Sequence, residues 1–199
     1  MKKIMRKIIL ASASPRRKEL LAFLVGNNFE VVVSSYEEDN NLDLSPKDLV
    51  LLHSLQKGRD VAKKLQEGIV ISADVVVVVG KEIFGKPADA KEAKRMLTKM
   101  SGRAVDVISG LAVIDIEAGE ELRDFEITKV KFKEMTEREI DDYVATGEPL
   151  DKAGAFGIQG KAAVLIEGIE GDYSNILGLP LFKLGKLLVQ AGVNIFDYT

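Results

Sequence analysis

Between Gly68 and Gly80 the chain runs Ile69-Val70-Ile71-Ser72-Ala73-Asp74-Val75-Val76-Val77-Val78-Val79. A continuous apolar run of this kind, rich in β-branched residues and bounded by glycines, predicts a strand buried on both faces. Asp74 stands in its middle. An ionised carboxylate there is costly unless it meets a cation, a metal or water at a strand end. Two explanations remain open on pattern alone: a partner for a buried lysine, or a functional aspartate in a cleft. Perturbed carboxylates gather at active sites, which favours the second.

A second segment has a definite local grammar. Ile8-Ile9-Leu10 reads as a short strand, Ala11-Ser12-Ala13 as a small-residue turn, and Ser14-Pro15-Arg16-Arg17-Lys18-Glu19-Leu20-Leu21 as the start of a helix. Ser14 is a good N-cap and Pro15 falls at the first helical position, where its missing N–H costs nothing. Arg16 and Arg17 then occupy a turn whose partial positive charge prefers acids. Ser45-Pro46-Lys47-Asp48 repeats the same cap but supplies an acid. Either the arginines are solvated on a surface helix, or an anion normally sits among free N–H groups and guanidiniums. Local rules tend to be broken at functional sites, so a phosphate is the better expectation.

The remaining chain alternates strand and helix patterns. Phe29–Val33 reads as a strand leading into the polar, acidic loop Ser34-Ser35-Tyr36-Glu37-Glu38-Asp39-Asn40-Asn41. A helix is expected from Pro46 to about Gln66, carrying His53 and Lys57. As the only histidine, His53 reads as a helix-face residue and not as a metal ligand or catalytic base, since metal sites need several ligands. Gly80-Lys81 predicts a hairpin returning through Glu82–Pro87. Asp89 with Glu92 and Thr136 with Glu139 are capping boxes opening two helices. Between them, Ala104–Ile116 and Leu122–Met135 predict an antiparallel pair with one wet face. A glycine-studded loop spans Asp151–Gly160, a strand is expected over Ala162–Ile169, and an amphipathic helix follows Leu179-Pro180.

Composition bounds the function. With 199 residues, 46% of them hydrophobic, the chain can bury a core as one large domain or two closely joined lobes. A net charge of −3 gives no basic footprint for duplex nucleic acid. The lack of cysteine excludes disulfides, thiolate metal sites and cysteine nucleophiles. The apolar stretch after the basic N-terminus is too short for a signal-peptide core, and no run reaches membrane-spanning length, so a cytoplasmic protein with no membrane partner is expected.

The candidate chemistry converges on phosphate. Lys86, held between Gly85 and Pro87, can return across the hairpin toward the end of the sheet where Asp74 lies. Glu37, Glu38 and Asp39 can supply hard oxygen ligands to Mg²⁺, which takes one or two carboxylates together with substrate phosphates. The Asp151–Gly160 loop allows close backbone approach to a ligand, and Gln159 there offers both a donor and an acceptor to a base edge. No Walker A, kinase or dinucleotide-binding signature is present.

These residues give the chain a specific likeness. Leu10–Leu21, Ala73-Asp74, Gly85-Lys86-Pro87, Ser101-Gly102-Arg103, Asp151–Gly160 and Gly178-Leu179-Pro180-Leu181 together resemble the Maf proteins, nucleoside triphosphate pyrophosphatases related to the inosine triphosphate pyrophosphatases. The resemblance runs nearly end to end. It implies an α/β fold with an elongated mixed sheet in two lobes around a central cleft, flanked by helices and forming one domain over residues 1–199. It also implies a homodimer that uses a divalent cation (Mg²⁺, Mn²⁺ or Co²⁺) and releases a nucleoside monophosphate and pyrophosphate.

By the same resemblance Asp74 is the proton acceptor, and Ser14, Arg16, Arg17, Lys57, Lys86 and Gln159 contact the substrate. Glu38 and Asp74 hold the metal, and Arg17, Val75 and Gln159 bear on base choice. Gly157-Ile158-Gln159-Gly160 looks like the branch acting on dTTP and UTP. Three departures stand out: Val75 where that branch carries threonine, Val105 where it carries histidine, and Lys57-Gly58-Arg59-Asp60 in place of an alanine-rich pattern. A nucleotide-binding regulator of cell division with incidental catalysis, and a triphosphatase releasing orthophosphate, remain the competing readings.

Overall fold

The computed structural model describes residues 5–39 and 42–198. The first residues of the basic N-terminus and the last two of the expected acidic loop lie outside that range. The elements follow the sequence pattern closely. They are β1 (Ile8–Leu10), α1 (Pro15–Val25), β2 (Phe29–Val31), α2 (Pro46–Ala62), β3 (Ile69–Val79), β4 (Glu82–Phe84) and α3 (Ala90–Met100). They continue with β5 (Ala104–Asp115), β6 (Glu120–Phe132), α4 (Glu137–Ala145), β7 (Ile166–Glu170), α5 (Tyr173–Ile176) and α6 (Leu181–Gln190). The seven strands join one mixed sheet in the order β2-β1-β3-β5-β6-β7, with β4 pairing onto β3. The α/β class and the mixed sheet expected from the sequence are therefore present.

The chain resolves into two compact units, each assembled from separated segments. The first contains residues 1–74, 109–126 and 178–199; the second contains 75–108 and 127–177. In the first unit β1 lies parallel to both β2 and β3, with Leu10 opposite Val31 and Ile71. Just beyond those positions the turn into α1 and the segment from Val32 to Glu38 leave the sheet, whereas β3 runs on through Ser72-Ala73-Asp74. The carboxyl end of parallel strands is where open α/β sheets bind ligands. Ile9, Ala11, Leu55, Val61, Val70, Ala112 and Ile114 form a core cluster here, fixing α2 against the sheet.

The second unit has its own core, in which Val77, Phe84, Met96, Leu97, Met100, Val107, Phe132, Tyr143 and Phe156 are all buried. The β3–β4 hairpin sets Val77 opposite Phe84. In β6 and β7, Val130 stands opposite Ile169 in antiparallel register.

Several local expectations need correction. The α2 helix ends at Ala62, short of Gln66, because Lys63 caps it and the amides of Lys64 and Leu65 fold back on Val61 and Ala62. Residues Lys161–Leu165 form a 3₁₀ turn, so the strand begins only at Ile166. The wet face belongs to β6 alone, since β5 is buried along nearly its whole length. At α3 Asp89 caps the amide of Glu92 as expected, but the Glu92 carboxylate turns to the amide of Ala88 instead of the cap residue's own. The box at Thr136 and Glu139 is complete.

Candidate active site

At the start of α1 the Ser14 hydroxyl accepts the amide of Arg17 at 3.4 Å, and the first turn holds no acid. The otherwise similar start of α2 does hold one, Asp48. The two arginines differ in their surroundings. Arg17 is half-buried and turned into the protein, its Nε donating to the carbonyl of Gly178 at 2.9 Å and a terminal nitrogen to the Ser12 hydroxyl at 3.3 Å. Desolvation pushes its guanidinium below the ordinary arginine value, while the negative charges of Asp74 and Glu38 oppose that shift and Arg16 reinforces it. Those influences place Arg16, Arg17, Glu38 and Asp74 within one electrostatic neighbourhood.

The centre of that neighbourhood is a three-member chain of charges. Asp74 is only 4% exposed. Its Oδ1 accepts from the Lys57 ammonium at 2.6 Å, and Lys57 also meets Glu38 Oε1 at 2.5 Å. The other carboxylate oxygen, Asp74 Oδ2, is buried with no hydrogen-bond partner among the described residues. Of the two explanations for Asp74 the first is present, since it is the partner of a largely buried lysine, and it also keeps one oxygen uncommitted. A buried, unpaired carboxylate oxygen is costly and calls for an explanation beyond packing.

Glu38 reaches Lys57 from a short strap of chain that α2 holds at several points. The Asp60 carboxylate accepts the Ser34 hydroxyl at 2.9 Å and the Ser35 amide at 2.8 Å. A hydrogen bond from Lys64, then those from Ser35 and Ser34, hold the Asp60 carboxyl well below the usual carboxylate range. Tyr36 Oη lies 2.9 Å from His53 Nδ1, and the two rings are tilted at 5.7 Å between centroids. Burial, followed by the negative charges of Glu38, Asp74 and Asp39, pushes the Tyr36 phenol up. His53 is fully buried, and its Nε2 finds no partner among the described residues. His53 is a helix-face residue, as expected, but the face it occupies is the one that grips the strap.

Tyr36, His53 and Asp60 had not been singled out as site residues. The signal that could have found them is spacing. His53, Lys57 and Asp60 stand at i, i+4 and i+7, one stripe of a helix. The segment they grip opens with Ser34-Ser35-Tyr36, a set of hydroxyls placed just before the acids.

The remaining candidates belong to the second unit. Lys86 is exposed two residues past β4, beside the buried Pro87. The carbonyl of Gly85 accepts the amide of Gly154 at 2.9 Å, which ties the Lys86 turn to the glycine loop that also carries Gln159. Gly154 has φ +66° and approaches Val77 so closely that a Cβ would sit 2.6 Å from its methyl carbon, so this contact admits glycine alone. Further along, the Tyr143 hydroxyl accepts the Gly157 amide at 3.2 Å and donates to Glu148, whose other oxygen accepts the Lys161 amide at 3.0 Å. Gln159 is exposed between those two anchored amides. Val75 packs against the second unit's core and Val105 lies within it.

Among the described residues no group of three or more histidines, aspartates or glutamates stands close enough to enclose a metal ion. Glu38 and Asp74 are therefore a pair of hard oxygen donors, not a cage. That donor set fits a cation completed by substrate phosphates and water, as Mg²⁺ prefers.

This arrangement defines the class: an α/β protein in which the helix mouth after β1, a buried aspartate within β3 and an acid–lysine pair belong to one compact unit. The fold agrees with that of a HAM1 protein from Coxiella burnetii, matched over 94% of this chain and 100% of that one with a TM-score of 0.52 at 14% identity. The chain belongs to the Maf family, whose model, described as Maf-like protein, matches residues 7–191. Proteins named dTTP/UTP pyrophosphatase resemble it along nearly their full lengths. The one from Methanosarcina mazei is 55% identical over 97% of this chain and 98% of its own. That from Methanococcoides burtonii is 53% identical over 97% and 99%, and that from Alkaliphilus oremlandii 50% identical over 92% and 95%.

Proposed function

We propose that this chain is a nucleoside triphosphate pyrophosphatase, cleaving dTTP and UTP to the monophosphate and pyrophosphate. Two lines support the reading: Maf membership with relatives of that name at about half identity, and the disposition of Asp74. The observation that carries it is the uncommitted Oδ2 of a buried Asp74 whose Oδ1 is held by Lys57.

In this reading Asp74 Oδ2 takes the proton of the water that attacks the α-phosphorus, while the Lys57 contact keeps the carboxylate oriented. The bond from the α-phosphorus to the bridging oxygen breaks, and the electron pair leaves with pyrophosphate. The Arg16 guanidinium, at the positive end of α1, holds triphosphate oxygens. Arg17, fixed by Gly178 and Ser12, shapes that helix mouth and adds positive potential. Glu38 and Asp74 would hold a divalent cation, which when bound supplies charge neutralisation to the triphosphate.

Lys86 as a phosphate contact and Gln159 as a base contact follow from the family motif, as do the homodimer and the division into two lobes of one domain; the cytoplasmic location is proposed on the sequence pattern. Val75, an apolar residue packed on the second unit's core, removes a hydroxyl from the position tied to base choice.

The decisive experiment is Asp74→Asn, assayed for pyrophosphate release from dTTP and UTP with Mg²⁺. Loss of a general base predicts a fall in kcat of about 10²–10⁴-fold. Wild-type turnover by that variant, or release of orthophosphate by the native protein, would overturn the assignment. Tight nucleotide binding without turnover would favour the regulatory reading.

A further inference from the structure

The strap from Ser34 to Glu38 is fastened by residues of α2 on both sides of Lys57. Asp60 takes the Ser34 hydroxyl and the Ser35 amide, and His53 meets the Tyr36 hydroxyl. Between these anchors the strap delivers Glu38 to the Lys57 ammonium. Glu38 itself has little else to hold it, since its side chain is 38% exposed and belongs to neither a helix nor a strand. A flexible acid in that setting samples many rotamers, and holding it in one of them costs side-chain entropy.

Burial points the same way. His53 is fully buried, yet only one of its ring nitrogens has a partner among the described residues, and that partner is Tyr36. A leucine would fill such a position with no polar atom to satisfy. The histidine thus leaves one buried nitrogen unpaired while gaining a single directed contact.

We propose that His53, Tyr36 and Asp60 are positioning residues for the reaction. They lock the strap so that the Glu38 carboxylate faces Lys57 and Asp74, acting through Glu38 without touching the substrate. The inference rests on the pyrophosphatase reading, in which Glu38 helps hold the divalent cation. Two of the gripping atoms carry the geometric load, His53 Nδ1 and the Asp60 carboxylate. Their i and i+7 placement around Lys57 makes the helix a ruler against which the strap is set.

The test is a double-mutant cycle among Tyr36→Phe, Asp60→Asn and Glu38→Gln. It is read both as kcat and KM for pyrophosphate release from dTTP and as Mn²⁺ affinity from the loss of the free-ion paramagnetic resonance signal. Groups that orient a metal-binding side chain cost about 10–100-fold when removed. Tyr36→Phe and Asp60→Asn are each expected to weaken Mn²⁺ binding and to lower kcat/KM by about 10-fold in the native background. In the Glu38→Gln background the same changes should cost less than about twofold, because the group they act through is already gone.

A contribution made only to folding would appear undiminished in both backgrounds, and that outcome overturns the proposal while leaving the pyrophosphatase reading intact. Full activity in Glu38→Gln alone would instead remove Glu38 from the site and end the proposal with it. A second pair keeps the test independent of folding losses. The substitution His53→Asn retains a polar atom where Nδ1 stood and should preserve Mn²⁺ affinity, whereas His53→Leu should lose it to the same degree as Tyr36→Phe. Equal behaviour of His53→Asn and His53→Leu would overturn the assignment.

Discussion

At the scale of single residues the most informative position is Gly58, beside the site lysine. An alanine there would place its Cβ 2.7 Å from Ser72 Oγ and 3.0 Å from Ile114 Cδ1. The Ser72 hydroxyl cannot swing away freely, because it is committed to the carbonyl of Ser54 at 2.7 Å. Helix propensity alone says that Gly58→Ala should stabilise by up to about 1 kcal/mol. Overpacking a filled core costs about 1–3 kcal/mol and outweighs it. We expect a net loss of about 1–2 kcal/mol, seen as a fall of roughly 2–4 °C per kcal/mol in melting temperature. A rise in melting temperature would refute this. Gly58, one part of the departure from the alanine-rich pattern around Lys57, thereby acquires a steric reason. Ser72 and Ile114 occupy the space a side chain would need, and that could not be read from Lys57-Gly58-Arg59-Asp60 by itself. Asp74 shows the opposite balance. Its cost among valines was legible in the sequence, whereas its partner was not, since Lys57 lies seventeen residues away on a different element.

At the scale of elements the sequence was most readable where local chemistry decides the outcome. Ser14, Ser45, Asp89 and Thr136 each cap the helix expected of them. The strand Ile69–Val79 has the bounds that its flanking glycines mark. Reading failed where tertiary contacts decide, as at Lys161–Leu165, whose apolar residues suit a strand but wind into a 3₁₀ turn with Glu148 holding the Lys161 amide. It failed again at the strap, whose order comes from α2 and not from any propensity of its own.

The α4 cap offers a pH test. A salt link to Lys133, followed by hydrogen bonds from the Thr136 amide and hydroxyl, lowers the Glu139 carboxyl to about 2. A depressed carboxyl stabilises the folded state fully above its unfolded value of about 4.3 and loses that contribution as pH falls through the folded value. Glu139→Gln should therefore be less stable than the native chain near pH 6, and the two melting temperatures should converge between about pH 4.5 and pH 2. A difference that persists unchanged at pH 2 would refute the linkage.

At the scale of the whole molecule, neither compact unit is a contiguous stretch of chain. The first gathers its N-terminal, middle and C-terminal segments, and specific bonds fasten them. Arg6 reaches Asp115 through two nitrogens, at 3.1 and 2.7 Å, and Glu117 at 2.9 Å, while Tyr198 donates to the Arg6 carbonyl at 2.9 Å. Asp115 is held below its ordinary value chiefly by Arg6, and burial works against that shift. This closure across distant segments was invisible in the sequence, where Arg6 read only as part of a basic N-terminus. It also means that the unit bearing Asp74 cannot be excised as a fragment.

The ammonium of Lys57 sits between two acids that would otherwise repel each other. The protein thus carries its own counter-ion, and its architecture does not have to wait for a dissolved one. Exhaustive chelation should silence pyrophosphate release yet leave a cooperative thermal melt, unlike small domains whose fold is purchased with zinc. Collapse of the melt on adding chelator would mean that the lysine is no substitute. If the melt survives, such an enzyme can idle intact through ion scarcity and resume work as soon as the ion returns.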